Sequence, residues 1–288
     1  VTTTGMLGDM VREIGGDHVE VEWLMGSGVD PHVYKHTRGD MLKLRRADVV
    51  FYNGLFLEAK LESVLEQLKN RGRPVYAAAE AIELSESELL DSEDYENKYD
   101  PHLWMDVAKW SRVAKYMTRK LKEHAPEHAD VYQQRSCDYL ENLEELDAYA
   151  HKVLSSIPES QRALVTAHDA FGYFGEAYDI EVRGIQGVST ASEAGLHDIE
   201  SLLNFIVERD IHAIFIETSV SDKNVRALVE GARSREHELR IGGELFSDAM
   251  GKKGTYRGTY LGMIDHNVTT IARALDGKAP KKGLNGKL

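Results

Sequence analysis

The sequence predicts an α/β protein of two lobes, and three features carry that expectation. Short β-rich runs alternate with helical patterns up to about residue 126 and again after Pro158, the arrangement of largely parallel sheets flanked by helices. A stretch free of Gly and Pro, residues 127–155, lies between the two halves. The 288 residues suffice for two lobes or domains that each bury a core.

The elements follow in order. Residues 19–25 (VEVEWLM) alternate apolar and polar side chains and read as a strand, whereas 48–53 (DVVFYN) and 74–79 (PVYAAA) are apolar runs of the fully buried kind. Between them, Thr37 and Asp40 make a capping-box-like start to a helix over 37–46, and residues 57–70 carry apolar side chains at helical spacing. An acidic stretch, 83–100, reads as a surface loop with some helical character. Asp106 is placed as the N-cap of the helix VAKWSRVAKYMTRKLKEH, which ends before Pro126. Across 127–155, Leu140, Leu143, Leu146, Tyr149 and Val153 keep a helical repeat. A helix of that length spans roughly 40 Å. A spine shared by two lobes and a lone surface helix both fit it. Beyond Pro158, strands are expected at 163–167, 181–185, 212–217 and 239–246, with helices at 170–178, 195–209 and 222–235. The end, GKAPKKGLNGKL, has no apolar period and reads as a loose tail.

Composition narrows the function. A formal net charge of −13 argues against a nucleic-acid surface, which needs a basic face. It suits a cationic ligand, and serves solubility equally well. The single cysteine, Cys137, excludes an intrachain disulfide and thiolate metal clusters; its helical setting suggests packing. No apolar run approaches the roughly 20 residues that cross a bilayer. The opening VTTTGMLGDMV lacks a charged segment followed by an apolar one, so a processed exported chain and a cytosolic chain both fit it.

Four residues stand where α/β proteins place ligands, beyond strands or ahead of helices. His32 lies in GSGVDPHVYKH, His102 in YDPHLWMD, His168 in LVTAHDAFGYF and Asp248 in GGELFSDAMG. Asp-Pro-His occurs twice, at 30–32 and 100–102. In each copy the proline restrains the backbone beside an imidazole, which aims it at low entropic cost. The four are far apart in sequence, so no local spacing vouches for a metal site. Structural roles for each histidine, and a capping role for Asp248, stay open on the residues alone.

The chain resembles the zinc- and manganese-binding subunits of ABC importers, the cluster A-I solute-binding proteins. The likeness runs from TTTGMLGDMV to about Gly277, through LMGSGVDPHVYKHTRGD, ADVVFYNGLFLE, DPHLWMDVAKWS, LVTAHDAFGYF, GIQGVSTASEAG, AIFIETS and GGELFSDAMG. It implies two α/β lobes, 1–126 and 156–288, joined by one long backbone helix over 127–155 with a metal between them. It implies His32 and His102 as ligands from the first lobe, and His168 and Asp248 from the second. Manganese-selective relatives carry glutamate where this chain has His168. Zinc-specific relatives often carry a long histidine-rich loop where this chain has the acidic 83–100. The implied cargo is therefore Zn²⁺ or Mn²⁺, with Fe²⁺ compatible, and by intrinsic affinity zinc binds tighter than manganese. The implied partner is a membrane permease, with the protein a monomer outside the cytoplasm.

Around this set, Asp169, Glu193 and Glu217 are candidates to orient an imidazole through its second nitrogen. His36 is expected to face solvent ahead of the Thr37 cap, and His197, His212 and His266 to be structural. The competing function is a zinc hydrolase with Glu193, Glu217 or Glu244 as general base. Four protein ligands would close the coordination sphere that catalysis needs open. An adhesin role, ascribed to some members of the family, has no independent support in the residues.

Overall fold

The computed structural model describes residues 1–80, 82, 85–92 and 99–288. Helix α1 (Gly5–Gly15) comes first and was not expected from sequence, because Gly5 and Gly8 lower its propensity. Packing overrides propensity: Met6, Leu7, Met10, Val11 and Ile14 are all buried. Gly8 is required there, since a Cβ would fall 2.4 Å from the Trp23 ring.

Residues 1–3 run between residues 22–25 and strand β1 (Val50–Tyr52), with Thr2 bridging in parallel to both Trp23 and Phe51. Strand β2 (Val75–Ala77) pairs in parallel with β1, Phe51 opposite Tyr76. The strand expected over 19–25 thus reduces to an extended segment with one bridge, since the edge it meets is so short. Helix α2 (Arg38–Arg46) has the expected capping box, Thr37 accepting from the Asp40 N–H and Asp40 from the Thr37 N–H. Helix α3 (Glu62–Asn70) starts later than expected. The Glu58 carboxylate turns back to the N–H groups of Asn53 and Gly54, holding residues 55–61 in turns.

Helix α4 (Val107–His124) begins at Asp106, whose side chain accepts from the Lys109 N–H. Helix α5 (Ala129–Leu154) follows a short turn at Pro126–His128 and, at 26 residues, is about 39 Å long. Then come β3 (Ala163–His168), α6 (Gly172–Tyr178), β4 (Glu181–Gln186), α7 (Leu196–Glu208), β5 (Ala213–Glu217), α8 (Lys223–Ser234), β6 (Arg240–Leu245) and α9 (Tyr260–Ala274). Strands β3 and β4 pair in parallel, as do β5 and β6, and β3 lies alongside β5. All four point their carboxyl ends the same way. The architecture is the expected one: two lobes with parallel sheets and flanking helices, linked by a long helix.

Burial is divided three ways. Leu44, Val50, Leu61, Leu65, Leu68 and Val75 form one core within the first lobe. Val165, Ile206, Ile214, Val225 and Leu228 form another within the second. The third and largest core is common to both lobes: Leu143, Leu146 and Leu154 of α5 join Trp104, Trp110, Phe171 and Tyr260 in it. Helix α5 is therefore a packed spine rather than a solvent-facing helix.

Two expectations are corrected. The carboxyl-terminal stretch is not loose: Leu284 packs on the shared core, and its N–H donates to the buried carboxylate of Asp265 (2.9 Å). Cys137 is exposed on α5 rather than packed. Part of the 83–100 loop, residues 83, 84 and 93–98, lies outside the described residues. Its described part includes a helical turn at Glu86–Glu88 and a bridge between Asp91 and Tyr99.

Candidate metal centre

The four predicted residues come together between the lobes. His32, His102, His168 and Asp248 are each exposed by 3 % or less, and one donor atom from each lies within 4.8 Å of every other. His32 Nε2 is 3.3 Å from His102 Nε2, His102 Nε2 is 3.2 Å from Asp248 Oδ1, and His168 Nε2 is 3.3 Å from Asp248 Oδ2. His32 Nε2 lies 3.8 Å from Asp248 Oδ2. Metal–ligand bonds of about 2.0–2.1 Å in a tetrahedron separate ligands by about 3.3 Å, so these spacings suit one ion.

Each side chain is placed by its own loop. In both Asp-Pro-His copies the aspartate accepts from the histidine N–H two residues on, Asp30 from His32 and Asp100 from His102, both at 2.9 Å. Asp30 also accepts from Thr190 Oγ1 (2.5 Å), across to the second lobe. The 100–102 loop is pinned where Asn53 Nδ2 donates to Pro101 O and Tyr173 OH donates to Asp100 O, each 3.0 Å. His168 ends β3. Asp248 follows β6, in a loop held by Asn267, which bonds both the N–H and the C=O of Phe246, and by Trp104 Nε1 donating to Ser247 O.

The far nitrogens decide which atom faces inward. His168 Nδ1 donates to Glu217 Oε2 and His102 Nδ1 to Asp100 Oδ1, both at 2.6 Å. With Nδ1 occupied, each neutral ring presents a bare Nε2 to the centre. Glu217 also accepts the His168 backbone N–H at 2.9 Å, so both its oxygens grip one residue.

Electrostatics separate the three imidazoles. Burial, reinforced by the other two imidazoles, drives His32 down to about 3 despite Asp248. Burial also opposes protonation of His102, yet Asp100 and Asp248 outweigh it and lift the value to about 9. His168 is raised well above its ordinary value in the same way, Glu217 and Asp248 overcoming burial. Asp248 is held well below the carboxylate range, His168 and His102 overriding its burial. Among the described residues, His168 Nε2 and both oxygens of Asp248 have no hydrogen-bond partner. Buried polar atoms left so are costly, and one cation at the convergence point would satisfy all three.

A three-imidazole, one-carboxylate site able to bind a divalent transition metal is therefore present. Because the two Asp248 oxygens face different imidazoles, the carboxylate can bind through one oxygen or both. That admits four-coordinate Zn²⁺ and higher-coordinate Mn²⁺ or Fe²⁺.

Of the candidate orienting residues, Glu217 takes that role, whereas Glu193 is exposed. Asp169 donates its backbone N–H to Gly187 O just beyond β3. Asp100 was missed, although the repeated Asp-Pro-His held the signal: the aspartate, not only the histidine, was duplicated. His36 is exposed, and His266 is structural, its Nε2 bonded to Glu244 O. Of the general-base candidates, Glu244 is exposed and Glu217 is engaged by His168.

Residues 1–274 match the family model described as the periplasmic component A of the zinc-uptake complex. The chain is 48 % identical over 275 residues to the zinc-binding protein TroA of Treponema pallidum, covering 96 % of this chain and 88 % of that protein. It is 44 % identical over 273 residues to the manganese-binding lipoprotein MntA of Bacillus subtilis, covering 95 % and 88 %. The solved structure of the treponemal protein superposes with a TM-score of 0.91 at 47 % identity, over 95 % of this chain and 97 % of that one. That of Fe(III)-bound YtgA from Chlamydia trachomatis superposes at 0.86 with 28 % identity, over 96 % and 97 %.

Proposed function

This chain belongs to the family of the periplasmic component A of zinc-uptake complexes, and we propose that His32, His102, His168 and Asp248 are the ligands of its one transported ion. It is an extracytoplasmic solute-binding protein that takes up a divalent transition metal and hands it to an ABC permease. Residues 1–126 and 156–288 act as the two lobes and 127–155 as the spine between them. The observation that carries the ligand assignment is the buried convergence of three imidazole nitrogens on a carboxylate whose oxygens lack other partners.

Capture rather than catalysis follows from the same geometry. Four protein donors leave a tetrahedral ion no position for water, and a hydrolytic zinc needs one. Zn²⁺ binds most tightly of the three candidate ions, because nitrogen-rich sites follow the Irving–Williams order. Mn²⁺ is the alternative cargo, through two-oxygen binding by Asp248. The function is tested with membrane vesicles carrying the cognate permease and ATP. Zinc accumulation that depends on this chain and fails with Asp248→Ala is expected; accumulation indifferent to the chain would refute the reading.

A further inference from the structure

We propose a second metal site on the surface of the second lobe, formed by Asp210, His212 and His237, which binds Zn²⁺ more weakly than the buried centre. One ligand atom from each of the three lies within 4.8 Å of the others. His212 Nε2 is 3.4 Å from Asp210 Oδ2, and His237 Nδ1 is 3.8 Å from Asp210 Oδ1. The two rings are nearly parallel, 11° apart, with centroids separated by 5.7 Å.

The backbone fixes all three. Asp210 occupies a left-handed turn beyond α7 (φ 52°), and its carbonyl accepts from Gln161 Nε2 at 3.0 Å. His212 precedes β5, and His237 lies in the turn before β6, its N–H bonded to Ala232 O. Parallel pairing of Ala213 with Arg240 brings these two turns side by side.

The tautomers point the same way. His237 Nε2 donates to Ile211 O at 2.7 Å, and His212 Nδ1 approaches Glu238 O at 3.4 Å. Those bonds use the ring proton on the far nitrogen, which leaves the nitrogen facing Asp210 bare in each neutral ring. The buried centre uses the same device with carboxylates in place of carbonyls. Ion pairs to Asp210 would need a second proton on each ring, whereas a metal needs none.

Two imidazoles and one carboxylate select borderline transition cations over Ca²⁺ or Mg²⁺, which prefer all-oxygen shells. Solvent completes the shell, since Asp210 is 73 % exposed, so binding is weaker than between the lobes. Arg240, close by, turns its guanidinium to Ala274 O and does not compete for Asp210. The site stands at the amino ends of β5 and β6, and Glu217 and Asp248 lie at the carboxyl ends. The length of β5 separates the two by roughly 16 Å. The two sites therefore titrate independently.

The test is calorimetric titration of the metal-free full chain with Zn²⁺ and, separately, Mn²⁺. Zinc is expected to give a tight step and a weaker one, and manganese, lowest in the affinity order, only the first. Asp210→Asn and the His212→Ala/His237→Ala double variant should weaken the second zinc step by at least about tenfold and spare the first. Asparagine tolerates the left-handed turn, so Asp210→Asn keeps the test valid should the largely buried His237 prove needed for folding. His168→Ala should remove the tight step and keep the weak one. A wild-type titration without the weak step, or a weak step unchanged in Asp210→Asn and the double variant, would overturn the proposal.

Discussion

The carboxylate of Glu217 holds His168 at two points, accepting its ring Nδ1–H at 2.6 Å and its backbone N–H at 2.9 Å. Residues at the carboxyl ends of neighbouring strands are thereby locked together, and Nε2 of His168 has one direction left to face. Glu217→Gln keeps the shape but weakens the charge-assisted bond to Nδ1. It is expected to lower zinc affinity by about 10–100-fold, measured by competition against a chromophoric chelator, with the fold intact by circular dichroism. Asp100→Asn should do the same through His102. Unchanged affinity in both would mean that the rings are aimed by packing alone.

Removing a ligand should cost more than removing its support. His168→Ala deletes one of four donors and leaves Asp248 short of a counter-charge, so zinc affinity should fall by several orders of magnitude. A loss comparable to that of Glu217→Gln would take His168 out of the coordination sphere.

Protons compete with the metal. His102, raised to about 9 by Asp100 and Asp248, and His168, raised well above its ordinary value by Glu217 and Asp248, hold protons at neutral pH in the metal-free protein, whereas His32, near 3, is already bare. Ligands must be deprotonated to bind, so zinc affinity should rise with pH from 6 toward 9, with close to two protons released per ion. Titration in buffers of different ionisation enthalpy counts them. Affinity flat over that range, with no proton release, would contradict the electrostatic account.

Much of the framework was legible because its signals are local. The Thr37–Asp40 box and the Asp106 cap are carried by residues within one turn, and both appear as expected. The proposed ligand set was legible only through the resemblance, since His32 and Asp248 are 216 positions apart and no spacing links them. Helix α1 was hidden by its glycines, whose need appears only when Trp23 packs on Gly8. Asp100 was hidden by the acidic run it ends. The carboxyl-terminal stretch looked loose because its anchor, the buried Asp265, is a long-range partner. His212, expected to be merely structural, gains significance only beside His237.

The spine should restrain motion. Leu143 and Leu146 of α5 are fully buried in the core common to both lobes, so wide hinge opening would expose apolar surface. Distances between spin labels at positions 69 and 200, with the exposed Cys137 replaced by serine, should change by only about 2 Å on zinc binding. A far larger change would reject the restrained tilt. Leu143→Ala should cost about 2–5 kcal/mol of stability in denaturant unfolding.

The ligand assignment itself is tested most directly by X-ray absorption and anomalous diffraction from crystals of the zinc-loaded protein. We expect one strong anomalous peak between the lobes, with three imidazole nitrogens at about 2.0–2.1 Å and Asp248 oxygen at about 2.0–2.2 Å. A principal zinc peak elsewhere, or a zinc between the lobes without His168 or Asp248 in its shell, would contradict it.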